Sequence, residues 1–380
     1  MRRQGTSVIR ASVSAALLAL STALLAGCSG APADRPASHI VARLQRWHTP
    51  EEVAYFMQSA ADAGVDTVHV VVKHDEDDVI PSGTAFYKSA IAPVWRSIGD
   101  WDPLTVAVEE AHRRGLRIYA WIPQFHDQAA VVAHPAWEMQ IAVNGTAVPY
   151  SSIGHSYFVN PIDPEVRAYE QSIVEEVVRG YAVDGIDLDW VRYDGFNMDV
   201  GPLSRAAAQR EIGIDPLTLD FAAGLADEKV ARWQVWRSAI VAEHVHAVAA
   251  AVRSIRPSVH VAAFVLPQSF AEVGQNLALF ADALDEVEPM CYWSDWGYSP
   301  SWVVDDCLAT VDARIAKAGA KTAVVPAIGA SETEAQIDQV IEELRGAYPD
   351  LGAVAWFYYN TWSAERMLES TDRLKGWRQP

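Results

Sequence analysis

Cysteine is scarce. Three residues, Cys28, Cys291 and Cys307, serve 380 positions, too few for a disulfide-built scaffold or a Cys/His zinc module. No HExxH pattern and no glycine-rich phosphate loop occurs, so the motifs give no ground for a metalloprotease or a nucleotide-phosphate site. His244 and His246 are two apart on an expected helix and do not share a face. No metal and no cofactor is therefore expected. Basic residues are also short: 30 Lys and Arg stand against 49 Asp and Glu, for a formal charge of −19. Such a surface disfavours nucleic acid and polyanionic glycans, and neutral or cationic substrates suit it better. Internal repeats and low-complexity tracts are absent. Half the chain is hydrophobic, enough to bury a large core.

Only residues 13–25 form a long apolar run, and it is short for a membrane-spanning helix. Arg2, Arg3 and Arg10 precede it, as in the positive region of an export signal. The run ends in Leu25-Ala26-Gly27-Cys28, which resembles a bacterial lipobox. That resemblance implies cleavage before Cys28, acylation of its thiol, and a membrane-tethered protein in the cell envelope facing away from the cytoplasm. Residues 1–27 thus read as a lipoprotein signal peptide and 28–37 as a tether. Outside the cytoplasm Cys291 and Cys307 could bridge, or remain as two buried thiols; the spacing allows both.

From residue 38 to 380 the chain alternates strands with helices. Strand-like segments are expected at 40–44, 67–72, 117–122, 183–189, 259–266, 287–293, 322–328 and 353–357. Helices between them carry start signals such as Thr49-Pro50-Glu51-Glu52, read as a capping box, Asp102-Pro103 and Asp163-Pro164. Eight such units predict an α/β fold, a single-domain (β/α)8 TIM barrel with long βα loops. An aldolase of this class needs a strand-borne lysine, and the expected strand cores contain none.

The fourth strand stands out. Asp187 and Asp189 are two apart, so both face one side while Ile186 and Leu188 face the other. Their spacing along a strand is about 6.6 Å, and neighbouring charges raise one carboxyl's pKa. In a barrel the chemistry sits at the carboxyl ends of the strands. Asp189, nearer the rim, is the candidate nucleophile or base, with Asp187 tuning it. The long loop at 73–101 holds the acidic run Asp75 to Asp78, and that at 123–161 holds His126. The loop at 194–229 holds Asp199, Asp215 and Asp220. Trp121, Trp293, Tyr358 and Trp362 fall near strand ends, where aromatic faces could stack on sugar rings.

These residues sit among longer motifs. Phe86-Tyr87-Lys88-Ser89-Ala90-Ile91-Ala92-Pro93, Trp101-Asp102-Pro103-Leu104, Glu109-Glu110-Ala111-His112-Arg113-Arg114-Gly115-Leu116 and Ala120-Trp121 follow one another. Asn160-Pro161, Pro164-Glu165-Val166-Arg167 and Tyr181-Ala182-Val183-Asp184-Gly185-Ile186 come after them. Together they are similar to the glycosyl-hydrolase-like family 10 (DUF187-type) barrels, over roughly residues 40 to 360. The resemblance implies an exported, lipid-anchored glycoside hydrolase acting on a cell-wall or other extracellular polysaccharide or oligosaccharide. Where the family often continues with His and paired aspartates, this chain has Ile186-Asp187-Leu188-Asp189-Trp190. Asp189 is kept and Trp190 replaces the next carboxylate. The end of the third strand, Pro123-Gln124-Phe125-His126, also departs from the family pattern. The segment from Asp184 to Trp190 looks like the chitinase-type family 18 signature too, but Val191 stands where that signature has its glutamic acid.

Glycoside hydrolysis asks for two carboxyl groups flanking the bond. Asp295, after Tyr292-Trp293, is the first candidate for the second group; Asp75 and Glu76 follow. Arg192 and Tyr193 are expected to orient the aspartates. Trp121, His126, Tyr292, Trp293 and Tyr358 are expected to contact substrate. A non-catalytic glycan-binding barrel is the alternative.

Overall fold

The computed structural model describes residues 35–43, 46–154, 156–329, 332–358 and 362–377. Cys28 and the expected signal segment lie outside the described residues.

Parallel strands dominate. They are β1 (Ala37–Arg43), β2 (Thr67–Val71), β3 (Arg117–Pro123), β6 (Gly185–Asp189), β7 (His260–Val265), β8 (Glu286–Pro289), β9 (Ala323–Val324), β10 (Ala327–Gly329) and β11 (Ala353–Phe357). β4 (Gln140–Val143) and β5 (Thr146–Pro149) form a separate antiparallel hairpin in the loop after β3. The large sheet runs β10-β11-β1-β2-β3-β6-β7-β8-β9.

Its two edges are halves of one strand. Pro326 has no N–H to give a ladder and splits the expected seventh strand into β9 and β10. β9 pairs with β8, and past it the Val325 N–H donates to Val287 O at 2.9 Å and the Cys291 N–H to Ala327 O at 3.0 Å. On the other side the Ala355 N–H donates to Pro326 O at 3.0 Å beside the β10–β11 pairing. The barrel therefore has eight staves, as the sequence pattern predicts. The sixth is shorter than expected, ending at Pro289 rather than 293.

The helices start where the signals place them. Asp102 accepts from the N–H groups of Leu104 and Thr105, and Asp163 from that of Glu165. Thr49 likewise accepts from Glu52 N–H at 3.3 Å, but Glu52 reaches back to the N–H of His48, not of Thr49. The capping box is thus half made. The motif Asp184-Gly185 has two structural duties. Asp184 accepts the Ile118 N–H at 2.9 Å and faces His112 Nε2 at 3.0 Å. Asp66 does the same for Ser38 N–H and Asp285 for Val261 N–H. Each carboxylate occupies a backbone donor at the amino-terminal rim that the neighbouring strand does not reach. Gly185 has no side chain because a Cβ there would lie 2.6 Å from the Tyr119 ring across the strand pair.

The main core lies between the staves and the surrounding helices. The lumen is unusual. Alternate residues face it, and such lumens are normally filled by branched apolar side chains. Here the middle layer contains His39, His69, Asp187 and Glu288, all at most 1% exposed.

Candidate active site

Asp189 is the last residue of β6 and is 5% exposed. The next residue turns the chain sharply: Trp190 has φ +50°. A bulky residue in this left-handed region costs about 1–3 kcal/mol, and such outliers cluster at functional sites. The turn brings the Trp190 N–H onto Asp189 Oδ1 at 2.6 Å. The Arg192 guanidinium then lies over the Trp190 ring, 4.0 Å from its centroid, and donates to Asp194 Oδ1 at 3.0 Å. One strained turn so places a backbone donor and a nearby cation beside the strand-end carboxyl.

Above Asp189 is a cavity of about 170 Å³. Trp121, Trp190, Phe264, Tyr292 and Phe357 form its aromatic walls, and Arg43, Asp75, Glu76, Arg192 and Asp295 add charge. A larger cleft of about 300 Å³ around Gln234, Gln268, Arg314 and Lys317 carries no carboxylate, so the smaller cavity is the better place for acid–base chemistry. Burial pushes the Asp189 carboxyl up to about 7, against the pull of Arg192 and the Trp190 N–H, with Asp75 and Asp187 adding to the rise. Asp189 therefore sits where a carboxyl can hold a proton near neutrality.

The acidic run on the loop after β2 is fully engaged. Arg43 grips Asp75 with both terminal nitrogens, at 2.6 and 3.0 Å, and reaches Glu76 at 3.1 Å. Asp77 accepts from Ser82 Oγ at 2.5 Å and pairs with His126 Nε2 at 2.6 Å. Asp78 faces His74 at 3.2 Å. Asp75 and Glu76 thus reach the cavity already ion-paired, while Asp295 stands exposed at its rim. Asp187 lies a layer below, fully buried, its Oδ2 2.9 Å from His69 Nδ1. Burial first, and the nearby Glu286 second, raise its carboxyl well above the ordinary range.

Four residues expected to meet substrate or orient the aspartates lie elsewhere. Tyr358 follows the inward Phe357 and so points outward; it is buried, with its hydroxyl on Ser370 Oγ at 2.7 Å. Trp293 follows Tyr292 and is fully buried away from the cavity lining. Alternation at the end of β11 decides the first; Trp293 lies past the end of β8, in the turn after it. Tyr193 is buried under Arg237, whose guanidinium lies 4.4 Å from its ring centroid, and does not hold the aspartates. His126 is buried behind the wall, its ring 4.5 Å from that of Trp190; it supports the wall and does not line it. Trp362 also lies apart, packed on Phe56. In the loop at 194–229, Asp199 is buried on Ser204, Asp215 pairs with Arg205, and Asp220 caps a short helix.

Asp189, Asp295, Arg192, Trp121 and Tyr292 are brought together at the cavity, with Asp187 one layer beneath and outside its lining. The sequence reading missed Arg43, Phe264 and Phe357 in the cavity and His39, His69 and Glu288 below it. The inward parity that singled out Asp187 would have found His69, a polar residue in the apolar run at 67–72, whereas His39 precedes the expected first strand and Glu288 sits in a half-acidic one.

The family model for glycosyl hydrolase-like 10 matches residues 41–341. The glycosyl hydrolase DigH of Escherichia coli K12 is 31% identical over 144 residues, 33% of this chain and 30% of that protein. The glycosyl hydrolase YngK of Bacillus subtilis 168 is 22% identical over 151 residues, 37% of this chain and 27% of that protein. These matches therefore span less than a third of either relative. The glycoside hydrolase domain of PgaB (BpsB) from Bordetella bronchiseptica superposes with a TM-score of 0.67 at 16% identity, over 89% of this chain and 99% of that one. The catalytic domain of β-amylase from Paenibacillus polymyxa gives 0.61 at 13% identity, over 92% and 98%. At these identities the likeness is one of fold.

Proposed function

The chain belongs to the glycosyl hydrolase-like 10 family, and from that premise we propose that it hydrolyses O-glycosidic bonds of a cell-wall or extracellular glycan. The observation that carries this is Asp189: a strand-end carboxyl with a pKa of about 7, at the floor of an aromatic-walled cavity that also holds Asp75, Glu76 and Asp295. A carboxyl that keeps its proton near neutrality can pass it to the glycosidic oxygen as the C–O bond breaks. This favours the acid role over the nucleophile or base role that its motif suggested. The positive charge developing on the sugar carbon is met by a second carboxylate, and water supplies the oxygen that bonds this carbon, its proton passing to a carboxylate. Asp75, whose charge reaches Asp189, and Asp295 are the candidates. Trp121, Trp190 and Tyr292 offer ring faces for sugar CH groups. The overall acidity and the carboxylates at the cavity favour a neutral or cationic glycan.

A lipid on Cys28 would hold the barrel at the envelope, outside the cytoplasm, with the polymer as its partner. The binding-only alternative draws on one feature: Arg43 already engages both Asp75 and Glu76, leaving less free carboxylate for chemistry. A panel of purified cell-wall and exopolysaccharide glycans decides between them. Hydrolysis by the wild type, lost in Asp189→Asn, supports the enzyme; glycan binding without products across the panel refutes it.

A further inference from the structure

We propose that His39, His69 and Glu288 bind one divalent first-row metal ion, zinc by donor type, inside the barrel lumen. This does not depend on the glycosidase reading. Among the described residues these three offer donor atoms that all lie within 4.8 Å of one another, and all three side chains are buried. His69 Nε2 is 3.2 Å from His39 Nδ1 and 3.5 Å from a Glu288 carboxylate oxygen. Ligand atoms on a tetrahedral zinc with bonds near 2.0–2.1 Å are about 3.3 Å apart, so both separations match the edge of such a site.

Hydrogen bonding alone does not satisfy this arrangement. His69 Nε2 carries either one proton or one lone pair, yet two groups converge on it. If His39 donates to it, the Glu288 carboxylate is left over, and both Glu288 oxygens lack a hydrogen-bond partner in a fully buried site. An isolated buried carboxylate is expensive. A cation between the three donors answers all of them. The remaining nitrogen of His69 is already supported: Nδ1 lies 2.9 Å from Asp187 Oδ2. A carboxylate on the far nitrogen of a histidine fixes the tautomer that turns the other lone pair to a metal. In this reading Asp187 is a positioning residue, and the ion ties β1, β2 and β8 together beneath Asp189. Nitrogen, nitrogen and oxygen donors suit zinc, with other first-row ions as competitors.

The test uses the full chain, freed of any histidine tag and purified without chelator. Elemental analysis should find about one ion per chain, and protein made in cobalt-supplemented medium should show the intense visible bands of tetrahedral cobalt. Glu288→Gln keeps the side-chain shape and should abolish those bands. Asp187→Asn should weaken affinity about 10–100-fold. His112→Ala, at an exposed histidine, should change neither and controls for adventitious surface binding. If Glu288→Gln fails to fold, the wild-type metal content and cobalt spectrum still decide. Folded wild type that stays metal-free after growth or loading with zinc, manganese or cobalt overturns the proposal. So does a protonated-carboxyl infrared band in that metal-free protein that disappears in Glu288→Gln.

Discussion

Replacing Asp189 by Asn should make the protein more stable at alkaline pH while removing the proposed hydrolysis. The folded carboxyl titrates at about 7, against an ordinary aspartate value of 3.8, chiefly because burial disfavours its charge. Its proton is thus held roughly a thousandfold more tightly in the folded than in the unfolded chain, equivalent to about 4 kcal/mol. The sign follows from linkage. Below about pH 4 both states are protonated and the group contributes nothing. Between about 4 and 7 the unfolded chain releases a proton that the folded chain keeps, so stability falls as pH rises; above about 7 the loss is complete. Asparagine has no charge to desolvate, and its side-chain oxygen can still accept the Trp190 N–H. Urea unfolding of wild type and Asp189→Asn at pH 4 and pH 8 isolates the effect, since the other buried carboxyls are common to both. The variant should match the wild type at pH 4 and exceed it by up to about 4 kcal/mol at pH 8. If Asp189 is the proton donor, turnover in the variant should fall about 10²–10⁴-fold below about pH 7, and the gap should narrow above it as wild-type kcat/KM declines. Equal stability of the two proteins at pH 8 would refute the claim that burial strains this carboxyl.

Three further outcomes are expected. Lys73 is fully buried between Asp127 at 2.8 Å and Glu170 at 2.5 Å, so Lys73→Met strands two buried acids and should cost about 3–5 kcal/mol in urea unfolding. Cys291 and Cys307 are bonded across a separation of 16 residues; denatured, unreduced protein should show no alkylatable thiol from this pair, and reduction should cost about 3 kcal/mol by the loop it opens. Cys28→Ala should move the protein from the membrane to the soluble envelope fraction and remove a lipid mass from the N-terminal peptide; unchanged fractionation would dismiss the anchor.

The sequence by itself determined the barrel. Helix start signals such as Asp102-Pro103, apolar strand cores and their alternation along the chain are local properties, and local properties are visible in a linear chain. It also determined which face Asp187 and Asp189 share, because side chains alternate along any strand. Tertiary structure decided what stands opposite them. Phe264, Phe357 and Arg43 reach the cavity from strands far away in the chain, and no spacing rule connects them to residue 189. It also decided the fates of Tyr358, one residue past the inward Phe357 where the strand's face reverses, and of Trp293, which lies in the turn beyond the shortened β8. The same closure of the sheet brought His39, His69 and Glu288 to one point, although they are spread over 250 positions of sequence. The pKa of Asp189 belongs to this second class, since it arises mainly from how much water the closed barrel excludes.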